Sequence, residues 1–259
     1  MSTAGFCDDC FKGATHEGTP QGQMVELGGV PCYVATPEGA YAKEKVVLYL
    51  SDACGLVLAN NKLLADDFAR HGYKVVVPDL FNGDPVPPEV FAADAPPFDW
   101  MAWLPNHGAA ETRPLINAVL AALHTSGVSS TGIACTGYCF GARFALDLAF
   151  DNLIAVAAIA HPSRLSLGPE AADMNKYRAV AKAPLLINGC EHDPVFPPAD
   201  QEITDSILGN GKFAPGYKRV YWAGCAHGFA IRGDLKDEGI RKAKEGALKE
   251  TLEWFGKYF

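Results

Sequence analysis

The sequence predicts an α/β protein, a mostly parallel central sheet flanked by helices on both faces. Two patterns lead there. Six short runs, at residues 45–50, 74–78, 132–136, 154–159, 184–188 and 218–222, are rich in β-branched and apolar residues and end in turn formers, as strands buried on both faces do. Between them lie stripes at helical period, such as Leu115, Ile116, Val119, Leu120 and Leu123, or Ile240, Ala243, Ala247, Leu248, Thr251 and Phe255. Strands alternating with helices make crossover units, and crossovers make a parallel sheet with both faces covered.

Taken in chain order, the N-terminus carries Asp8 and Asp9 where a secretory signal needs a basic start and a long apolar run. No export signal is expected, so the eight cysteines are expected as reduced thiols in the cytoplasm. Cys7 and Cys10 have metal-ligand spacing but no second pair nearby, so no metal is expected. The run from Gly29 to Ala35 reads as part of an antiparallel edge hairpin, because Pro31 has no amide to donate to a central ladder. Residues 82–106 hold six prolines with Phe91, Phe98, Trp100 and Trp103, an ordered flap over the sheet. Residues 163–182 form a second, smaller insertion. The 259 residues are read as one domain.

A net charge of −8 argues against a nucleic-acid partner. Apolar runs fall well short of the ~20 residues that span a bilayer, so no membrane partner is expected either. In parallel sheets, ligands sit beyond the carboxyl ends of the strands. The residues that matter therefore follow each run: Ser51-Asp-Ala-Cys-Gly55, Asp79-Leu-Phe81, Gly137-Tyr-Cys-Phe-Gly141, His161-Pro-Ser163, Gly189-Cys-Glu-His-Asp193 and Gly224-Cys-Ala-His-Gly228.

Among these, Cys139 stands out. It follows a strand, opens a helix running to about Phe150, and is flanked two positions away on either side by Gly137 and Gly141, as a nucleophile on a sharp strand-to-helix turn requires. The helix N-terminus beneath the sulfur favours a thiolate. Asp193 follows 54 residues later (193 − 139) and His227 another 34 (227 − 193). Nucleophile, acid and histidine in that order match the α/β-hydrolase fold. His227 would serve as base, with Asp193 orienting the imidazole; Glu191 is the rival acid. The backbone amides of Phe140 and Ala53 are candidates for an oxyanion hole. His161 is placed to face a pocket, His192 to point away by strand alternation, and Arg143 to pair with Asp147 at i,i+4.

Together these residues resemble the dienelactone hydrolase (carboxymethylenebutenolidase) family, and His16-Glu-Gly-Thr-Pro20 and Asn60-Asn-Lys-Leu-Leu64 are similar to its fungal branch. The resemblance runs over nearly the whole chain. It implies that Cys139, Asp193 and His227 open a lactone or ester through an acyl-thioester. It also implies that Asp52, standing where the bacterial pattern has Glu, holds the resting thiol and helps activate it.

The bacterial enzymes grip a substrate carboxylate with one arginine four residues after the histidine and another in the flap. Here the first position is Ile231, with Arg232 one further on, and no arginine lies between Arg70 and Arg113. An apolar or aromatic ester or lactone contacting Trp100, Trp103, His161 and Arg232 therefore fits better than dienelactone. The expected activity is hydrolysis of a lactone, ester or thioester, with a small-molecule partner and no cofactor, and the protein a monomer or homodimer. Acyl transfer, lyase or isomerase chemistry on a polyketide-like substrate is the enzymatic alternative. A ligand-binding pseudohydrolase is the non-enzymatic one.

Overall fold

A computed structural model describes residues 18–92 and 94–259; the Cys7/Cys10 pair lies outside them. Eight strands form one sheet: β1 (Gln23–Leu27), β2 (Val30–Ala35), β3 (Val46–Leu50), β4 (Lys74–Pro78), β5 (Ile133–Tyr138), β6 (Val156–Ala160), β7 (Leu185–His192) and β8 (Tyr217–Ala226). Their order is β1-β2-β4-β3-β5-β6-β7-β8, antiparallel where β2 meets β1 and β4 and parallel thereafter. This is the α/β-hydrolase fold.

The helices are α1 (Ala59–Arg70), α2 (Trp100–Trp103), α3 (Ala109–Thr125), α4 (Phe140–Phe150), α5 (Ala172–Val180), α6 (Pro198–Leu208), α7 (Phe229–Arg232) and α8 (Glu238–Tyr258). The apolar strands serve two cores by simple alternation. In β3, Val46, Leu48 and Leu50 face α3 to α6, while Val47 and Tyr49 face α1 and α8. Both faces of the central strands β3 to β7 are covered, which is why they read as unbroken apolar runs; β8, expected at 218–222 as a strand buried on both faces, is instead an edge strand exposed or half-buried along most of its length.

The hairpin turns through Gly28 and Gly29, both at positive φ (62° and 81°), as a two-residue turn matched to strand twist demands. The strand with Pro31, however, is not the edge: β2 lies between β1 and β4. Pro31 escapes the cost because the ladder to β4 begins at Cys32, and its carbonyl still accepts from the Asp79 amide at 2.8 Å.

The strand β8 also runs beyond its expected end. Its ladder with β7 is interrupted between Cys190 and His192 and resumes at His192↔Ala226. Gly224, at φ 72°, makes this irregularity possible, and its amide donates to Glu191 Oε2 at 2.7 Å.

Between β4 and β5 the chain crosses over β3, so β3 and β5 become parallel neighbours with Leu50 beside Gly137. That juxtaposition brings the loop after β3 against the turn after β5. Segment 82–106 holds a 3-10 turn (Pro88–Phe91), α2 and a second 3-10 turn (Leu104–Asn106). In segment 163–182, α5 drives Met174 and Tyr177 into the core. No helix among the described residues is long and apolar enough to cross a membrane.

Candidate active site

Cys139 sits between β5 and α4 with φ 48° and ψ −110°, a conformation that costs on the order of 1–3 kcal/mol and persists only where its surroundings over-determine it. They do. The Cys139 amide donates to Ala160 O (3.2 Å), its carbonyl accepts from Ala142 (3.2 Å) and Ser163 (3.1 Å), and the Gly141 amide donates to Ser51 O (3.0 Å). The flanking glycines are required by close approach rather than by dihedral angle. A Cβ at Gly137 would lie 2.8 Å from Ala142 Cα, and one at Gly141 would overlap the Leu50 carbonyl.

Asp193 and His227 meet across the end of β7 and β8. The imidazole Nδ1 lies 3.0 Å from Asp193 Oδ1 and 2.9 Å from Oδ2. The carboxylate is buried and fixed by the amides of Val195 and Phe196, each 3.0 Å from Oδ1, with the Cys190 thiol 3.6 Å from Oδ2. The resumed ladder supplies the other half of the placement, through His227 N–H to His192 O at 3.1 Å. Glu191 is occupied by Gly224 instead.

Charges around the thiol shift both partners. Burial opposes the His227 cation, but Asp193 and Cys139 outweigh it and push the imidazole up from 6.5 to about 9. Burial likewise opposes a Cys139 thiolate, yet His227 and Arg232 hold the thiol below its usual value, against the pull of Asp52. Phe140 opens α4 beside the sulfur, and Ala53 lies in the facing loop, its carbonyl bound to the Val86 amide at 2.9 Å. Among the described residues neither Phe140 N–H nor Ala53 N–H has an acceptor.

Three substrate-side expectations change, those for Asp52, Trp103 and His161. Asp52 does not hold the thiol: its oxygens are engaged by Asn61 Nδ2 (2.9 Å), the Cys54 amide (3.2 Å) and an ion pair with Arg232. Arg232 does reach the site despite its one-residue offset. The short helix α7 buries Ile231 and turns the Arg232 guanidinium toward Asp52, 4.1 Å from the Phe91 ring centre.

Trp103 is part of the core. It is 7% exposed, stacks on His107 at 4.0 Å, packs on Phe81 and Phe140, and donates its indole N–H to Asp84 O, whereas Trp100 remains 37% exposed on the flap. His161 is fully buried behind His227, with ring centres 5.1 Å apart, and burial keeps it neutral. Arg143 pairs with Asp147 as expected (2.6 Å) and also with Asp173 (2.5 Å); His192 is exposed.

Two further residues, to which the sequence pattern assigns no role, reach the site. Ser163 places Oγ 3.7 Å from Cys139 Sγ; its signal was a polar residue just past a strand end. Asn61 bridges Asp52 and the Tyr49 hydroxyl, and nothing local in a helical Asn-Asn pair announces that.

The profile of the dienelactone hydrolase family matches residues 30–259. The chain belongs to the dienelactone hydrolase family. It is 33% identical over 249 residues to the hydrolase pyvD of Aspergillus violaceofuscus, covering 96% of this chain and 95% of that one. It is 31% identical over 250 residues to dienlactone hydrolase 1 of Gibberella moniliformis, covering 95% and 91%. Among solved structures, a dienelactone hydrolase-like promiscuous phosphotriesterase from metagenomic libraries superposes with a TM-score of 0.62 at 17% identity, covering 92% of this chain and 98% of the other. As a dienelactone hydrolase family member, the protein is an enzyme, a hydrolase of esters or lactones.

Proposed function

We propose that the enzyme cleaves a small ester or lactone through an acyl-thioester on Cys139, with His227 as base and acid and Asp193 orienting the imidazole. The observation that carries this reading is the geometry, with Cys139 on its left-handed turn between β5 and α4 and His227 Nδ1 2.9 Å from the buried Asp193 carboxylate; the charges of the pair act in the same sense, lowering the thiol and raising the imidazole. A thiolate facing an imidazolium is the reactive form of such a pair. In acylation Sγ attacks the carbonyl carbon, the oxyanion meets the Phe140 and Ala53 amides, and His227 protonates the departing alkoxide. Water deprotonated by His227 then releases the acid and regenerates the thiolate.

The substrate side favours an aromatic or apolar molecule with at most one anionic group. Besides His227, Arg232 is a cation whose charge acts on the thiol, already paired with Asp52 and capped by Phe91. The flap arginine of the bacterial pattern has no counterpart here, since no arginine lies between Arg70 and Arg113.

An aryl-ester assay tests the mechanism. Cys139→Ala and His227→Ala should each lower kcat/KM by roughly 10³-fold or more, and iodoacetamide should inactivate the wild type. Cys139→Ser should fold normally and turn over far more slowly, since a hydroxyl lacks the accessible anion. Intact-mass spectrometry of a quenched reaction should show the acyl group on Cys139. Wild-type rates in Cys139→Ala would overturn the assignment.

A further inference from the structure

We infer that Ser163 is a further catalytic residue, whose hydroxyl donates a hydrogen bond to the Cys139 sulfur whenever that sulfur carries negative charge. The inference rests on the acyl-thioester reading above and adds a group that neither the fold nor the order of the three residues calls for.

The geometry is unusually constrained. Ser163 Oγ lies 3.7 Å from Cys139 Sγ, within the longer reach of a hydrogen bond to sulfur. The contact is not the chance meeting of two mobile side chains. The Cys139 amide donates to Ala160 O and the Ser163 amide donates back to Cys139 O, at 3.2 and 3.1 Å, so the two backbones are tied on both sides of the contact.

The turn between these bonds is itself pinned. His161 takes a left-handed φ of 36° and donates its amide to Asn188 O at 2.9 Å. Its ring is fully buried against Tyr138, His227 and Phe229. Arg164, also left-handed at φ 61°, donates to His107 O at 2.7 Å. A hydroxyl held by its backbone in this way stays aimed at the sulfur without reorganising during reaction.

The chemistry needs such a donor twice. In the resting thiol either atom can donate. Once the thiol proton has passed to His227, only the Ser163 O–H can donate, and the sulfur accepts. When Sγ attacks, its electron pair forms the C–S bond and the contact loses its charge.

In deacylation the oxygen of water adds to the acyl carbon while His227 takes the proton. The C–S bond then breaks with its electron pair returning to Sγ, and Ser163 O–H again faces a thiolate. Ser163 keeps its own proton throughout. Among the described residues, the other charged and titratable groups acting on the sulfur are His227 from the β8–α7 connection, Arg232 at the end of α7, and Asp52 and Cys54 from the loop after β3. The two cations stand off against one anion, so a neutral donor adds stabilisation without adding a charge to be buried.

The test reads sulfur ionisation directly, by the pH dependence of iodoacetamide alkylation of Cys139, quantified by peptide mass spectrometry in the full-length enzyme. Loss of a hydrogen bond to a charged group should move the alkylation midpoint of Ser163→Ala up by about one pH unit, a tenfold loss of thiolate at pH values below the midpoint. Ser163→Val should move it equally, and Ser163→Thr, which has the shape of valine but keeps the hydroxyl, should restore it. In parallel, kcat should fall about tenfold in Ala and Val at neutral pH with KM little changed.

An unchanged midpoint in Ala and Val overturns the inference, as does an equal displacement in Thr and Val, which would make shape rather than the hydroxyl the cause. Because alkylation requires no turnover, these outcomes are distinct from failure of the hydrolytic mechanism, which is read by whether Cys139→Ala still hydrolyses ester.

Discussion

At the scale of the residue, the site is a contest between burial and pairing. Burial alone would leave both Cys139 and His227 uncharged, yet each supplies the opposite charge that the other needs, and Asp193 tips the balance by holding Nδ1. Under the proposed mechanism, kcat/KM should show a bell-shaped pH dependence.

The acid limb reports formation of the thiolate, below the usual thiol value of 9.0. The alkaline limb comes at about 9, as His227 loses the proton that the departing alkoxide requires. Replacing Asp193 by Asn removes the largest contribution that raises His227, so the alkaline limb should move to lower pH while kcat falls on the order of 10³-fold. Rate profiles from pH 4 to 10 on the two proteins check both statements; an alkaline limb that stays in place in Asp193→Asn contradicts the role given to the carboxylate.

At the scale of the element, the turn from β5 into α4 is held by absences. In an exposed helix, Gly→Ala stabilises by about 1 kcal/mol. At Gly141 the sign reverses, because the new Cβ would fall on the Leu50 carbonyl, and backbone on a central strand has no room to give. Gly141→Ala should therefore destabilise by roughly 1–3 kcal/mol, seen as a lower urea midpoint. It should also reduce kcat, since the same displacement carries the Phe140 amide away from the sulfur. A gain in stability would show that α4 can move off β3 freely.

At the scale of the whole molecule, a lysine lies in the layer between α8 and α1. Lys244 is 2% exposed, and burial pushes it down to about 7, against the attraction of Asp67 and Glu245. Burial pushes Asp67 up to about 6, although Arg70 and Lys244 pull it the other way. Between pH 7 and 10.5 the unfolded chain holds the lysine proton and the folded chain does not, so this group's contribution to stability rises with pH across that window and is lost as pH falls through 7.

Lys244→Met should accordingly raise the urea midpoint at pH 7, with the gain over wild type shrinking by roughly 1 kcal/mol per pH unit toward pH 10. Denaturation at pH 7 and 9 checks the slope. A gain that is constant with pH contradicts a lysine titrating in the folded state.

What could be read from residue order alone was whatever contiguous residues encode. Alternation and helical period marked the central strands and their helices. Glycines two positions either side of Cys139 marked the turn, because the steric demand there falls on immediate neighbours. The order of Cys139, Asp193 and His227 could be read because a parallel sheet delivers successive strand ends to one rim.

Tertiary structure decided the rest. Asp52 and Arg232, 180 residues apart, pair because α7 turns a buried Ile231 inward and so swings the next side chain into the site. Trp103 joins the core since Phe81, His107 and Phe140 close around it, and His161 disappears behind His227 on a left-handed turn. Such outcomes depend on which surfaces meet across the fold and on which polar atom finds a partner there. A pattern with a period of two or 3.6 residues carries no record of either.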